Sequence, residues 1–418
     1  MQYKNGLTVA AVLAASVSAA NSTSSVPSSC SIKSDATASS QADLDSYSSC
    51  STIVGDLILT GDLASAALSG VEEIEGSLTI KNATQLTSFS ADSLKKISES
   101  LTLQELTVLN TASFGSLEEV DTINFTTLPA VSSIVTKLTS AKQIIIADTA
   151  LESIAGFEEL DEIDVFNVNN NKGLATIDSK LKHVKTALEI TYNGQSADVS
   201  FDELEWANNI TLRDVSSASF AKLANVNASL GFINNSLPSI DLSTLEEIGG
   251  SLSVVSNDDL TKLDFSNLTS VGGGFVIANN TKLTDIDTFS ELTTIGGALV
   301  VTGKFGSLDF PKLKSVKGGA DIESTASNFS CDDLNALQKK GGIQGDSFVC
   351  KDGATSTSVK LTATGTTDDD DATSTSASDG GSSTSNSTSK SKAAAGANFN
   401  APGSSIMGAV AAVAFALL

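Results

Sequence analysis

The chain has 418 residues, a formal net charge of −24 at pH 7 and an isoelectric point near 4.3. Binding to a nucleic acid needs clustered Lys and Arg, whereas the 25 basic residues here are scattered, so we expect no nucleic-acid partner. One His, one Trp and two Met are also a poor set of side chains for an enzyme.

The first element is an apolar stretch at the N-terminus. Lys4 precedes the apolar run Leu7 to Val17, and the small residues Ser18, Ala19 and Ala20 follow it. This order of charge, apolar core and cleavage site predicts a secretory signal peptide over residues 1–20. The alternative is a buried helix, which so short a run with these flanks does not favour.

Two pairs of cysteines lie at opposite ends of the chain. Four cysteines allow three pairings, and proximity favours Cys30 with Cys50 and Cys331 with Cys350. A zinc site would normally use close Cys pairs, which are absent, so no metal is expected. We interpret the cysteines as two local disulfides, one at each end of an elongated domain.

Between the cysteine pairs the sequence repeats with a period of about 22 residues. The template is L-x-x-[IV]-x-x-x-[LF]-x-[IV], often with Asn three residues later; one copy is Leu245, Ile248, Leu252, Val254 and Asn257. This period lies in the leucine-rich-repeat range, in which each coil adds one short strand to a parallel stack. The sequence therefore predicts an all-β-rich solenoid of about 12 coils, with an irregular coil around Leu57 and Leu59 before them.

These signals divide the chain into six segments. The C-terminal cap should contain a short helix with Ser330 as N-cap and Gly341 as its stop. The segment that follows this cap, called the stalk here, is rich in Ser and Thr and has almost no apolar residues. It can bury too little apolar surface to offset the conformational entropy lost on ordering. The segments are a signal peptide (1–20), an N-terminal disulfide cap (21–56), the solenoid (57–326), a C-terminal disulfide cap (327–353), a disordered, O-glycosylated stalk (354–394) and a removed anchor signal (395–418).

The last segment has the order of a glycosylphosphatidylinositol (GPI) attachment signal. Small residues at 395–397 are followed by a polar spacer and then by 13 apolar residues, Ile406 to Leu418. A transmembrane helix would need about 20 apolar residues and usually a basic flank. The lipid-bearing residue is either Ala395 or Gly396.

Ten N-x-S/T acceptors for N-glycosylation occur along the chain. Three of them, Asn82, Asn234 and Asn279, share one position two residues after the last inward strand residue, so their glycans should project along one rim. The alternative is that some are unused or are simple turn asparagines. The ten sites are Asn21, Asn82, Asn124, Asn209, Asn227, Asn234, Asn267, Asn279, Asn328 and Asn386.

Candidate catalytic residues give only weak signals. His183 stands alone at a variable repeat position, which indicates a solvated surface residue. A glycosidase needs two carboxylates in a cleft, whereas pairs such as Glu158 and Glu159 recur between repeat anchors, as expected for a solvated turn. Trp206 is the one candidate ligand contact. We expect neither catalysis, a cofactor nor a small-molecule substrate.

The stretch SVGGGFVIANNTKL (270–283) resembles a phosphate-binding loop at first sight. Such a loop lies between a strand and a following helix, whereas these glycines come before a predicted strand. Glycine pairs stand at the same place in neighbouring coils. We interpret Gly272 to Gly274 as a recurring corner of the solenoid.

Several pieces of the sequence resemble one known family. SSCSI, QADLD, CSTIVGDL, LTLQEL, ASFGSLEEVD, FNVNNN, WANNITLRDV, ASLGFINN, SVGGGFVIANNTKL, NFSCDDL and IQGDSFVCKDGATSTSVKL are similar to fungal GPI-anchored cell-wall glycoproteins related to extracellular mutant protein 33 and the sporulation-specific Sps2 group. The resemblance implies a receptor L-domain-like leucine-rich fold, residence at the plasma membrane and in the wall, and a part in wall integrity. It implies no catalytic residues.

Two functional hypotheses follow. The first is a non-enzymatic, glycan-coated solenoid that organises wall polysaccharide or wall and membrane proteins from a GPI lipid. The second is a receptor-like ectodomain that binds a specific glycan or peptide through the strand face of the solenoid. Asn124, a glycosylation acceptor within a strand, argues against the second.

Overall fold

The computed structural model describes residues 26–33, 36–154, 156–194 and 197–357, which form one parallel β-solenoid of about 13 turns. The predicted fold class is confirmed. The expected irregular coil around Leu57 is a regular turn, because its strand Leu57–Leu59 pairs in parallel and in register with Leu78–Lys81. In these ranges, helix is confined to a 3-10 turn, Ser28–Cys30, and two α-helices, Gln41–Asp45 and Asp332–Lys339.

A main sheet of 23 strands runs the length of the solenoid, and all its pairings are parallel. In five turns a single strand crosses the sheet: Lys96–Gln104, Glu119–Leu128, Ser140–Thr149, Glu162–Asn169 and His183–Thr191. In other turns a corner divides the path into two rows of shorter strands. The first row is Thr52–Val54, Glu73–Glu75, Trp206–Ala207, Asn225–Val226, Glu247–Ile248, Ser270–Val271, Thr294–Ile295 and Ser315–Val316. The second row is Ala36–Ala38, Leu57–Leu59, Leu78–Lys81, Ile210–Arg213, Leu230–Ile233, Leu252–Val255, Phe275–Ala278, Leu299–Gly303, Ala320–Ser324 and Phe348–Lys351.

Four smaller sheets occupy another side of the solenoid, each with one short strand per turn. The first contains Ser65–Ala67, Ser88–Ser90, Thr111–Ser113 and Ser133–Val135. The second contains Thr176–Asp178, Ala197–Ser200 and Val215–Ser219. The last two are the pairs Ser239–Asp241 with Lys262–Asp264 and Asp285–Ile286 with Ser307–Leu308.

The repeated apolar positions fill the space enclosed by the turns. Leu252 lies beside Phe275 in the sheet, and Val254 lies beside Ile277; all four are at most 2% exposed. Burying such a side chain contributes roughly 1.5–3 kcal/mol. Since the neighbours of each turn close its core, the turns stabilise one another.

Glycines form the corner that precedes the second row of strands. A Cβ on Gly272 would lie 2.0 Å from the carbonyl oxygen of Gly249, and one on Gly296 would lie 2.0 Å from that of Gly272. Only glycine allows the stacked backbones to approach so closely. The interpretation of these glycines as a recurring corner is confirmed, and a strand rather than a helix follows them.

A second corner lies at the C-terminal end of the strands of the second row and of the long strands. Ten non-glycine residues adopt positive φ there, in the left-handed region that favours Asn and Asp. They are Asn82, Glu105, Thr127, Asp148, Asn170, Tyr192, Asp214, Asn234, Ser256 and Asn279.

Buried asparagines stack just inside this second corner. Asn257 Nδ2 donates to Phe232 O at 2.9 Å and to Asn280 Oδ1 at 3.1 Å, while Asn257 Oδ1 accepts from the backbone and side chain of Asn235. Asn171 and Asn193 make the same contacts in two earlier turns. The ladder satisfies backbone groups that would otherwise be buried without partners.

Both ends of the solenoid are closed by a disulfide. Cys30 bonds to Cys50 and Cys331 to Cys350, the pairings that proximity favoured. Ser40 caps the first helix through a capping box with Asp43.

The second helix begins one residue later than predicted. Its N-cap is Cys331 rather than Ser330, since the first helical hydrogen bond runs from the N–H of Asn335 to Cys331 O, and Ser330 Oγ accepts the N–H of Asp332. Gly341 follows the helix with φ of 74°, as the predicted stop requires. Among the described residues, no helix is long and apolar enough to cross a membrane.

Candidate interaction surface

The outward residues of the second-row and long strands form one continuous surface, called the outer face here. In each strand the residue between the two inward positions points away from the core. Parallel pairing places these residues in one row along the solenoid. The row contains Thr79, Thr102, Asn124, Ile145, Asn167, Glu189, Thr211, Gly231, Ser253, Val276, Val300 and Asp321.

The first half of the outer face is mainly polar and half-exposed. Asn167 Nδ2 donates to Glu189 Oε2, and Asn169 Nδ2 donates to Asn167 Oδ1 at 2.7 Å. Asn124 Oδ1 is buried and has no hydrogen-bond partner among the described residues. This half presents amide and hydroxyl groups at the spacing of the strands, about 4.8 Å.

The second half of the outer face is apolar. Five residues form a hydrophobic cluster separate from the main core, and each is 5% exposed or less. Strand Phe275–Ala278 is accordingly buried at all four positions, whereas strand Leu78–Lys81 alternates between buried and half-buried. We call this cluster the apolar patch; its members are Ile233, Val255, Val276, Ala278 and Val300.

Polar atoms without partners border the apolar patch. Ser253 Oγ, Thr302 Oγ1 and Asp321 Oδ1 are buried and accept or donate no hydrogen bond within the described part of the chain. Burial raises the pKa of the Asp321 carboxyl above its ordinary value, and the charge of Glu323 adds to the shift, while Lys351 opposes it. A buried polar group without a partner is costly, so these atoms are unfavourable points in this part of the outer face.

An open cleft lies along the rim beside the outer face. It has a volume of about 1150 Å³, and its lining includes Tyr192, Asp214 and Asn234. Tyr192 is 53% exposed, and Arg213 Nη1 lies 3.5 Å from its hydroxyl. An exposed aromatic ring beside carboxylates and amides can contact a sugar or a peptide.

The potential glycosylation sites lie mostly around the edges of the outer face. Asn82, Asn234 and Asn279 all occupy the positive-φ corner, which gives them the common rim that the sequence predicted. Asn82, Asn227, Asn234, Asn267 and Asn328 are exposed, while Asn124, Asn209 and Asn279 are half-buried. Four predicted site residues lie outside the described residues: Asn21, Asn386, Ala395 and Gly396.

Trp206 is half-buried and bonded to the next turn. Its Nε1–H donates to Asn227 Oδ1 at 3.1 Å, and its ring centroid is 6.4 Å from that of His183. His183 Nδ1 in turn lies 3.9 Å from Glu162. These contacts join four adjacent turns, so Trp206 connects a potential glycosylation site to the sheet.

Carboxylates of three of the pairs bond to lysines in neighbouring turns. Glu72 is 2.8 Å from Lys95 Nζ, and Glu159 is 2.9 Å from Lys180 Nζ. All of these side chains are more than half exposed. The pairs therefore behave as the solvated turns that the repeat predicted. No cluster of potential metal ligands occurs in the described ranges.

Sequence reasoning missed the apolar patch and Tyr192. Uninterrupted apolar runs such as FVIA (275–278) in place of alternation were the available signal for the patch. No feature of the sequence marked Tyr192 as a candidate contact. In other turns the equivalent corner position holds Asp, Glu, Ser or Thr, so the repeat does not single out an aromatic residue there.

Comparison with known proteins identifies relatives that cover most of the chain. No family model matches it. The cell wall mannoprotein PST1 of Saccharomyces cerevisiae is 52% identical over 313 residues, which are 75% of this chain and 70% of that protein. The cell surface GPI-anchored protein ECM33 of Candida albicans is 33% identical over 315 residues, 74% of this chain and 76% of the relative. Sporulation-specific protein 2 of Saccharomyces cerevisiae is 33% identical over 314 residues, 74% of this chain and 62% of the relative.

The chain belongs to the ECM33 and Sps2 family. Its members named above are wall mannoproteins and GPI-anchored surface proteins. This member of the ECM33 and Sps2 family is accordingly a protein of the cell surface and the cell wall, and its role lies in the wall.

Proposed function

We propose that the chain is a non-enzymatic, GPI-anchored glycoprotein that supports the organisation and integrity of the fungal cell wall. Its partners would be wall polysaccharide and wall or membrane proteins. The observation that supports this proposal is that polar side chains bond one turn to the next. Lysines pair with carboxylates of neighbouring turns, and asparagines stack in a ladder. This chemistry maintains a long, rigid, hydrophilic rod.

The predicted stalk is part of the same proposal. Residues 354–394 would hold the solenoid away from an anchor at Ala395 or Gly396. Glycans on the exposed asparagines would cover the edges of the rod rather than the apolar patch.

The anchor is tested by release from intact cells. Phosphatidylinositol-specific phospholipase or a glucan-degrading enzyme should release the protein, while salt should not. Release by salt alone would contradict the anchor.

The non-enzymatic role is tested by complementation. Cells that lack the protein should become sensitive to dyes that bind wall polysaccharides, and the intact chain should restore resistance. Glu158→Gln with Glu159→Gln should restore it equally, because a solvated turn performs no catalysis. Loss of rescue with normal surface display would favour an enzyme.

A receptor-like ectodomain is the second candidate, and the cleft beside Tyr192 favours it. The apolar patch contains no glycosylation acceptor, and Asn124 lies in the polar half of the outer face, so its glycan would not block the patch. Tyr192→Ala should weaken binding of surface-displayed protein to isolated wall fragments if this candidate is correct. Unchanged binding would favour the scaffold alone.

A further inference from the structure

Trp206 differs in chemistry from the residues that lie beside it in the first row of strands. Parallel pairing aligns it with one residue in each of seven other turns, and all seven are polar or charged. Trp206 is half-buried, so part of its apolar ring lies in water, which is unfavourable. This position therefore requires a reason for an indole that the aligned residues do not share. They are Glu162, His183, Asn225, Glu247, Ser270, Thr294 and Ser315.

The residue that the indole contacts in the next turn is a potential glycosylation site. Trp206 pairs with Asn225, and Asn227 lies two residues further on, exposed, in the acceptor sequence Asn227-Ala228-Ser229. Trp206 Nε1–H donates to Asn227 Oδ1 at 3.1 Å. An N-glycan is attached to Nδ2 of the same amide group, so this hydrogen bond is compatible with glycosylation. The first sugar of such a glycan would begin beside the indole.

The indole ring has the chemistry that a sugar ring contacts. One side of N-acetylglucosamine presents C–H groups, which pack favourably against the electron-rich face of an aromatic ring. The His183 ring comes from the preceding turn in an edge orientation, with 6.4 Å between the centroids, so the two rings are not stacked face to face. An exposed hydrogen bond to Asn227 contributes little by itself and needs no aromatic ring. A sugar on Asn227 gives the ring a partner.

We propose that Trp206 is the contact surface for the first N-acetylglucosamine of an N-glycan attached to Asn227. The sugar packs against the indole, and the hydrogen bond to Asn227 Oδ1 orients the amide group that carries the sugar. The glycan is thereby held over the first row of strands instead of projecting freely from the turn. This inference rests on the glycoprotein character in the proposed function, whereas the proposed wall role does not depend on this contact.

Fluorescence quenching tests the contact, because Trp206 is the only tryptophan in the chain. The full chain is purified from cells that glycosylate it, and quenching by acrylamide measures access to the indole. Ser229→Ala removes the acceptor sequence and leaves Asn227 in place. Thr269→Ala, the matched control, removes the acceptor at Asn267, three turns away. The quenching constant should rise about twofold in Ser229→Ala and stay unchanged in Thr269→Ala.

Endoglycosidase H distinguishes the first sugar from the rest of the glycan, because it leaves one N-acetylglucosamine on each asparagine. The quenching constant should therefore remain that of the intact glycoprotein after digestion.

The rate of this digestion in the folded protein is a second measurement, and it does not depend on the buried Ser229. Trp206→Ala should speed cleavage at Asn227 by roughly threefold, since the lost ring contact no longer restrains the glycan, and leave cleavage at Asn267 unchanged. Trp206→Phe keeps an aromatic ring without the N–H, so its rate should lie closer to that of the unchanged protein.

Four results would each overturn the proposal. They are the absence of a sugar on Asn227 by mass spectrometry, equal quenching constants in the intact protein and Ser229→Ala, a rise in quenching after endoglycosidase H, and equal cleavage rates with and without the Trp206 ring. The complementation test of the wall role is independent of these measurements, so a failure here would leave the proposed wall function standing.

Discussion

Asn257 shows how much a single buried side chain contributes to the stacking of turns. It is fully buried and bonds to Asn235, Phe232 and Asn280 in the two adjacent turns. Asn257→Ala would leave the N–H of Asn235 and the carbonyl of Phe232 without partners. We expect the free energy of unfolding to fall by about 2–4 kcal/mol, measured by denaturant titration.

Asn208→Ala is the matched control for Asn257→Ala. Asn208 Nδ2 makes a single exposed bond to Thr186 O at 3.3 Å, so the free energy of unfolding should change by no more than about 0.5 kcal/mol. Equal effects of the two substitutions would show that the ladder does not stabilise the stack.

Asp321 makes the stability of the solenoid depend on pH. Because burial raises the pKa of its carboxyl in the folded state, that state binds more protons than the unfolded one between the ordinary value of 3.8 and the raised value. The folded state therefore favours the protonated carboxyl, and the free energy of unfolding decreases as pH rises from 3.8 through the raised pKa. Asp321→Asn should raise the melting temperature at pH 7, and the gain should shrink as pH falls towards 4.

Asp178→Asn provides the charge control for Asp321→Asn. Asp178 is exposed on a strand of a smaller sheet, and its loss changes the net charge by the same amount. A rise in melting temperature at pH 7 as large as that of Asp321→Asn would assign the effect to net charge rather than to burial.

Residue positions were predictable where they belong to the repeat template. The template often places Asn three residues after its last inward position, and the hydrogen bonds show that this Asn satisfies a backbone carbonyl of the preceding turn at Asn193, Asn235, Asn257 and Asn280. The surroundings of Trp206 were not predictable, because its bond to Asn227 depends on the register between two turns.

The glycine corner sets how closely neighbouring turns can pack. Gly272→Ala would place its Cβ 2.0 Å from Gly249 O and 2.8 Å from the carbonyl carbon, so two turns would have to move apart. We expect a loss of about 1–3 kcal/mol in the free energy of unfolding, read from thermal or denaturant unfolding.

Gly303→Ala serves as the control for Gly272→Ala. Its Cβ would meet only Phe305 Cδ1, at an ordinary 3.8 Å, so stability should be almost unchanged or slightly higher. If Gly272→Ala were tolerated as well as Gly303→Ala, close stacking at the corner would not matter for stability.

The inward residues of the strands were easier to predict from the sequence than the ends of the elements or the surroundings of the outward side chains. The spacing of Leu245, Ile248, Leu252 and Val254 identifies inward residues, because the pleat repeats every two residues. The same spacing says nothing about what covers Val276 from outside. The predicted helix start was wrong by one residue, since the first helical hydrogen bond runs from the N–H of Asn335 to Cys331 O.

The end turns of the whole molecule depend on their disulfides. Cys331→Ser with Cys350→Ser should lower stability by about 3 kcal/mol at most, since the bond closes a loop of 19 residues. Hydrogen exchange should rise in residues 320–351 and remain unchanged near Cys30. Cys30→Ser with Cys50→Ser should give the reverse pattern, and a uniform rise along the chain in either variant would contradict independent caps.

The length and class of the molecule followed from its repeat, because a constant period of about 22 residues leaves parallel stacking as the simplest way to bury each turn. The change along the outer face from polar to apolar did not follow, since no periodicity encodes it. It became visible only when Asn124, Ser253, Val276 and Val300 were placed in one row.

The disulfide between Cys331 and Cys350 also determines how the rod responds to mechanical load. A pull on the chain beyond residue 357 first reaches the edge strand Phe348–Lys351, whose backbone hydrogen bonds alone would open one after another. At Cys350 the tension passes through a covalent bond to Cys331, where the chain leaves the last full turn. The residues between the two cysteines are thereby shielded, and the cap helix stays folded while the force enters the stack of turns behind it.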